Sequence, residues 1–454
     1  FVMDITNPEE DPKLLWTFTH IDLGFATSYP TVARVRPHDA LGKTSTMETF
    51  WYAVFGSGPT SYAGNAGQKP KMFFVDLSTG PTAASSPLTL NGLVRTQKGH
   101  DSTKNAFFGD VITVDRDLDF RVDAAFAGET FTGSPWHGTM ARVTTGCGAK
   151  TSPTCQTNPT DWGVAYATTG GRGASILLDD FYDGTGTFNL GAIPQAPSVA
   201  IDDANNLWVF GGTGRYFSTA DKTNLEVQTL FGVKDPVLSY ACTDAYTTCQ
   251  VAPFGTSTGA NTLVDLTAAS VCVLGTGTGT GTCSAANQVS GVSGVATYPA
   301  LVSLVQGKAG WFNKLPIATG NAAERLSGTP IVAGGIVFLP TFLPSSDVCV
   351  TAGTGSMYAL YYVTGGPYSS PVVGTTAGTS GAADSINKKV ILGEGLSSAI
   401  ALHIGVQGNG TTGGGSTSGL MGCSQSTTGA LNCVNVNPAM GVASRYISWI
   451  NQRD

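Results

Sequence analysis

The sequence predicts an all-β protein built from many short strands, and three observations carry that prediction. Short apolar runs recur along the chain, each stopping in a turn rich in Thr, Gly or Asn. No long amphipathic helical pattern interrupts them. Glycine makes up 59 of 454 residues, nearly twice its usual share, which suits a chain that turns often. Such strands imply a sandwich, a barrel or a propeller. Repeated strand-turn units over the whole length favour the propeller, whose blades bury their faces on one another.

In chain order, the first such unit is Phe1–Pro8, followed by Trp51–Gly58, Met72–Gly80 and Thr139–Gly146. Leu207–Gly214 repeats the Trp51–Gly58 shape, an aromatic-rich strand running into a Gly-rich bend, and Met357–Gly365 closes the set. Trp162–Thr168, Ile331–Leu339, Lys389–Leu392 and Ile400–Ile404 are further strand candidates. Asp221–Leu230 is the best short helix candidate. The spacing is irregular, so Gly/Thr/Ser-rich loops are inserted between strands; Gly275–Gly281 and Gly408–Gly419 are two of them. Phe1-Val-Met is strand-like with no turn or cap before it, so the chain is expected to start inside a blade. The single predicted domain is then 1–454, with an N-terminal part of the protein absent.

Composition excludes several function classes. The net charge is −7 and no Lys/Arg cluster stands out, which argues against nucleic acid as a partner. No apolar run reaches the ~18–20 residues of a membrane span. Eight of the nine cysteines fall into close pairs: Cys147/Cys155, Cys242/Cys249, Cys272/Cys283 and Cys423/Cys433. None has the spacing of a zinc site or a nearby His, so local disulfides in an oxidising compartment are expected. Cys349 is left over.

One constellation carries clear chemistry. Asp115, Asp117, Asp119 and Asp123 occupy positions 1, 3, 5 and 9 of a loop, and Arg121 at position 7 can offer its backbone carbonyl. This is the ligand spacing of an EF-hand-type calcium loop. Four carboxylates within one loop repel one another unless a hard cation neutralises them, and Ca2+ accepts 6–8 oxygens in flexible geometry. Phe120 replaces the Gly of position 6, and Phe126 stands where the bidentate Glu would be, so the site is shorter than the full motif. The five histidines are scattered, with no metal-ligand spacing, and read as structural or solvent-facing. Asp221, Lys222 and Asp235 read as surface-loop charges, and Glu324-Arg325 as either a buried pair or a rim salt bridge. No nucleophile elbow or Walker loop is present.

The segment Ala196–Pro236 resembles the signature of the PilY family, the type IV pilus tip adhesins and assembly factors. Asn206-Leu-Trp208, Gly212-Thr-Gly-Arg-Tyr216, Asp221, Gln228, Phe231-Gly232 and Asp235 carry that resemblance. Other pieces agree in order: Phe1–Pro8, Phe55–Gly58 with Phe73–Asp76 and Thr79-Gly80, Glu324-Arg325 with Pro330 and Val337-Phe338, then Cys349 with Gly353 and Tyr358, and Arg445–Trp449. The resemblance implies a modified β-propeller of about seven blades. It also implies Ca2+ at Asp115, Asp117, Asp119, Arg121 and Asp123, with Ala124–Gly128 following as in the family and Glu129 replacing its usual Asp. The implied function is non-enzymatic: an extracellular, calcium-binding pilus-tip protein, exported through the periplasm, that supports pilus assembly, extension and retraction. Its implied partners are minor pilins, and a host or abiotic surface reached through the missing N-terminal region. A secreted calcium-stabilised matrix protein is one alternative, and a quinoprotein-type dehydrogenase propeller is another.

Overall fold

A computed structural model describes residues 1–35, 49–77, 93–94, 104–116, 118, 121–145, 162–165, 172–182, 187–236, 262–273, 287–318, 322–345, 353–376, 384–406 and 418–437. Their regular structure is nearly all β. Sheet I is formed by Thr31–Val35, Phe50–Gly56, Lys71–Asp76 and Leu93–Val94. Sheet II is formed by Ala106–Val114, Ala124–Phe131, His137–Thr144 and Ser175–Leu178. Sheet III takes Ser198–Ile201, Leu207–Gly212, Thr229–Asp235 and Gly310–Lys314, with Leu263–Asp265 added in parallel. Sheet IV pairs Ser270–Val273 with Val289–Ser290 and Asp384–Ile386, which pairs with Thr375–Thr376. Sheet V centres on Ile336–Leu343 and Thr354–Tyr361, flanked by Arg325–Leu326, Ile331–Ala333 and Lys389–Glu394. Sheet VI is the meander Ala401–Val406, Ser418–Gln425 and Leu431–Val436.

The period-2 alternation of side chains decides how these sheets stack. Ala33, Val35, Tyr52, Val54, Met72 and Phe74 of sheet I share one buried cluster with Ala125, Ala127, Ala141 and Val143 of sheet II. The intervening residues of sheet II, Ala124, Phe126 and Met140, point the other way and pack on Leu207, Val209, Phe231 and Val233 of sheet III. Trp208, Phe210 and Leu230 of sheet III face a third cluster. That cluster takes Val271 and Val289 from sheet IV and Val337, Leu339, Tyr358 and Leu360 from sheet V. Ile336, Phe338, Met357 and Ala359 leave the opposite face of sheet V for Ile400, Leu420 and Val436 of sheet VI or beside it. Sheets II, III and V are thus each buried on both faces, and at about 1.5–3 kcal/mol per fully buried side chain this face-to-face stacking is the main source of stability. Successive antiparallel sheets packed in this way form the propeller-type architecture expected from the repeats.

Several local expectations need correction. Ile331–Leu339 is two strands, because Gly334 (φ +54°) and Gly335 (φ +77°) form a two-residue hairpin turn that pairs Ala333 with Ile336. Two consecutive positive φ values suit glycine and match the strand twist. Asp221–Leu230 is not a helix: a 3₁₀ turn spans Thr219–Thr223, and Thr229 already begins a strand. The α-helix among the described residues is Tyr298–Gln306, which Thr297 precedes as N-cap. Pro299 in its first turn has its φ preset, and Tyr298, Leu301 and Val305 face the core. Cys423 and Cys433 form a disulfide between directly paired residues of sheet VI, and Cys272 is disulfide-bonded as well. Cys147, Cys155, Cys242, Cys249, Cys283 and Cys349 lie outside the described residues, as do Gly275–Gly281, residues 408–417 and Arg445–Trp449.

Candidate metal centres

The acidic loop connects the first two strands of sheet II, after Val114 and before Ala124. Its base is clamped by backbone bonds. The Asp123 N–H donates to the Val114 carbonyl at 2.8 Å, and the Thr145 N–H donates to the Asp123 carbonyl at 2.9 Å. The Val122 N–H donates to the Arg34 carbonyl of sheet I at 2.9 Å. The Arg116 N–H donates to Asp123 Oδ2 at 2.6 Å, so position 9 reaches back across the loop to position 2. The Arg116 guanidinium donates to the carbonyl and Oδ1 of Asn205, at 2.8 and 2.6 Å, in the neighbouring turn of sheet III. Leu118, exposed at the tip, has φ +58°, so a left-handed turn falls at position 4.

Asp115 is half-buried, and Arg121 and Asp123 are buried. Asp117, Asp119 and Phe120 lie outside the described residues. The described part fits a cation site in two respects. The loop is closed on itself by its position-9 carboxylate, and its base is fixed to sheets I and III, so bringing Asp115, Arg121 and Asp123 together costs little further chain entropy.

The other end of sheet II holds a cluster that sequence spacing does not reveal. His137 begins the third strand, and Asp179 and Asp180 follow the fourth. One ligand atom from each of the three lies within 4.8 Å of the other two. His137 Nε2 is 2.8 Å from Asp180 Oδ1 and 3.4 Å from Asp179 Oδ1, with side-chain exposures of 14%, 27% and 8% for His137, Asp180 and Asp179. The Leu190 N–H donates to Asp180 Oδ1 at 2.7 Å, and the Asp180 N–H donates to Asp179 Oδ1 at 2.8 Å. Burial by itself lowers the His137 pKa, but the two carboxylates outweigh it and push it up to about 9. Forty-two residues separate His137 from Asp179 in sequence. Only the pairing of Leu178 with Met140 brings them together, and the Asp-Asp pair closing an apolar strand was the one available hint. The histidines remain scattered from one another, but His137 meets two carboxylates that its sequence neighbourhood does not show.

The two centres are far apart. Ala124 pairs with Thr144 at the loop end of sheet II, and Phe131 pairs with His137 at the other. Seven residue steps at about 3.3 Å place them roughly 23 Å apart.

The signature segment forms a packed corner beside the His137 end. Asp221 is buried, not a surface-loop charge: it accepts the Arg215 Nε–H at 2.6 Å and the Phe217 and Ser218 N–H groups at 2.9 and 2.8 Å. The Arg215 guanidinium lies 3.5 Å above the Trp136 ring, and the Trp136 N–H donates to Glu226 Oε1 at 3.3 Å. Asp235 is likewise buried, paired with Arg142 of sheet II. Glu324 and Arg325 are both buried but serve different partners. Glu324 accepts from Thr341 at 2.5 Å and Lys389 at 2.7 Å, whereas Arg325 donates to the Arg215 carbonyl at 2.7 Å. Gly214 is required where the chain passes Arg325, because a Cβ there would lie 2.6 Å from the Arg325 Cβ. Asp235 thus ties sheet III to sheet II, and Gly214 and Arg215 meet Arg325 of sheet V.

No family model matches the chain. Two curated proteins of Xylella fastidiosa, both described as type IV pilus biogenesis factor PilY1 homologues, are similar to it. One is 23% identical over 380 residues, 81% of this chain and 21% of the relative. The other is 25% identical over 404 residues, 88% of this chain and 25% of the relative. The chain thus spans about a fifth to a quarter of the length of these relatives. Among solved structures, the crystal structure of the Pseudomonas aeruginosa PilY1 C-terminal domain covers 96% of this chain with a TM-score of 0.58 and 20% identity, matching 78% of that domain. The likeness to that structure is one of fold.

Proposed function

We propose that this chain, which carries the sequence pattern and the fold of the C-terminal domain of the PilY family, serves type IV pilus biogenesis as a non-enzymatic, calcium-binding propeller at the pilus tip. Support comes foremost from the ordered run of family residues across the whole chain, joined to the PilY1 C-terminal fold over 96% of it. Calcium would occupy the sheet II loop through Asp115, Asp117, Asp119, the Arg121 carbonyl and Asp123. The hard cation would neutralise the clustered carboxylates and stiffen the loop, and occupancy would bias pilus extension against retraction. Minor pilins, and a host or abiotic surface for adhesion, are the proposed partners. The proposed location is extracellular, after export through the periplasm.

Immunogold electron microscopy of sheared pili tests the role: gold at filament tips supports it, and gold spread over the envelope but absent from pili overturns it. Calorimetry tests the cation. Calcium is expected to raise the Tm of the isolated chain by several degrees, and Asp115→Asn with Asp123→Asn should abolish that rise. An unchanged Tm with calcium would remove the cation from the proposal.

A further inference from the structure

We propose that His137, Asp179 and Asp180 form a second divalent-cation site, of the borderline transition-metal class (Mn2+, Co2+, Zn2+), separate from the calcium loop. The donor set decides the class. One imidazole nitrogen with two carboxylate oxygens suits the first-row divalent metals, whereas calcium takes oxygen alone. The three ligand atoms lie mutually within 4.8 Å, with His137 Nε2 2.8 and 3.4 Å from the two carboxylate oxygens, so small side-chain shifts bring all three to the 2.0–2.2 Å of a bound ion. The arrangement is also prepared. His137 is fixed at its strand start by the Gly138 N–H donating to the Leu190 carbonyl at 2.8 Å. The next amide, Leu190 N–H, orients Asp180, and the Asp180 N–H orients Asp179. Such bonds fix ligand orientation in the way outer-shell partners do in metal sites.

Electrostatics points the same way. Two carboxylates, one of them more than nine-tenths buried, share one imidazole, so even with His137 protonated the group carries a net negative charge. The Phe131 ring packs against the His137 imidazole, ring centroids 5.3 Å apart, and lowers the local dielectric. Asp180 is the most exposed of the three. Bound metal would tie the outer strand Ser175–Leu178, an edge of sheet II, to its neighbour at the end beside the Trp136–Arg215 corner. The inference does not rest on calcium binding or on a pilus role.

Co2+ titration of the chelator-treated chain, followed by calorimetry and visible absorption, is the test. The expected result is one equivalent bound with weak d–d bands and no sulfur charge-transfer band. Zinc should displace the cobalt, and a large excess of Ca2+ should not. Loss of a ligand should cost more than the 10- to 100-fold typical of outer-shell changes, so His137→Asn should weaken Co2+ binding at least about 100-fold. Asp180→Asn, at the more exposed position, is expected to do the same and serves if the histidine variant does not fold. The Asp115→Asn/Asp123→Asn variant should bind Co2+ normally. Absence of binding, binding unchanged in both His137→Asn and Asp180→Asn, a sulfur charge-transfer band, or equal competition by Ca2+ would each overturn the proposal.

Discussion

Arg142 and Asp235 meet where sheets II and III face each other, and both are buried. Ser175 Oγ accepts the Arg142 Nε–H at 3.2 Å and helps hold the guanidinium. Removing one partner of such a pair strands the other charge in a low dielectric. Asp235→Asn is therefore expected to cost about 3–5 kcal/mol in urea unfolding, whereas Arg142→Met with Asp235→Leu should lie close to the parent. A loss below about 1 kcal/mol for the single variant would show that the pair does not hold the sheets. Lys388 makes a pH-dependent case. Its ammonium donates to the carbonyls of Leu266 and Thr267, at 3.2 and 2.6 Å, and to Asn313 Oδ1 at 3.3 Å. Burial lowers its pKa from 10.5 to about 8, with Asp265 pulling the other way. Between those two values the unfolded chain binds more protons than the folded one, so this residue's contribution to stability rises with pH from about 8 to 10.5. The gap corresponds to about 3 kcal/mol. The difference in unfolding free energy between the parent and Lys388→Met, measured from pH 7 to 10, should climb accordingly. His137, whose raised pKa acts in the opposite sense up to about pH 9, is common to both proteins and cancels. A flat difference would refute the assignment.

Among the elements, sheet VI depends on a covalent link. Cys423 and Cys433 face each other in register across its last two strands, ten residues apart. Closing so short a loop stabilises by about 3 kcal/mol in the chain-entropy description. Cys423→Ser with Cys433→Ser should lower unfolding stability by about that amount and raise amide exchange in residues 418–436 first. Exchange unchanged in sheet VI would mean that packing on Ile336, Phe338 and Met357 suffices. The Gly334-Gly335 turn and the Tyr298–Gln306 helix show why element boundaries escaped the sequence reading. The pattern on either side of the glycines is continuously apolar, half-buried in Ile331–Ala333 and almost wholly buried in Ile336–Leu343, so no change of periodicity marks the turn. The helix has only nine residues, too few for its 3.6-residue period to stand out among strands. Its signals were Thr297 and Pro299, a cap and a first-turn proline.

Across the whole molecule, stability should follow the stacking. Sheets II, III and V are packed on both faces. The hairpin Val2–Asp4 with Lys13–Trp16 exposes Met3, Leu14 and Leu15, and an isolated two-stranded unit is marginal in water. Native-state hydrogen exchange is expected to protect the strands Leu207–Gly212, Ala124–Phe131 and Ile336–Leu343 most and the N-terminal hairpin least. Protection spread evenly over all sheets would show one cooperative unit in place of a graded stack.

The sequence by itself determined the repeated apolar strands that end in Gly- or Thr-rich turns, Leu207–Gly212 and Met357–Tyr361 among them. It also determined the acidic loop between two strands and the cross-strand cysteine pair of sheet VI. These are local: each is written in short apolar runs, in turn chemistry, or in carboxylates within one loop. Only the tertiary structure decided that Asp221 and Asp235 are buried, that Glu324 and Arg325 serve different partners, and that His137 meets Asp179 and Asp180. Those outcomes depend on which strands pair and which sheets stack. A charged residue beside glycines reads the same in sequence whether a neighbouring sheet covers it or water does.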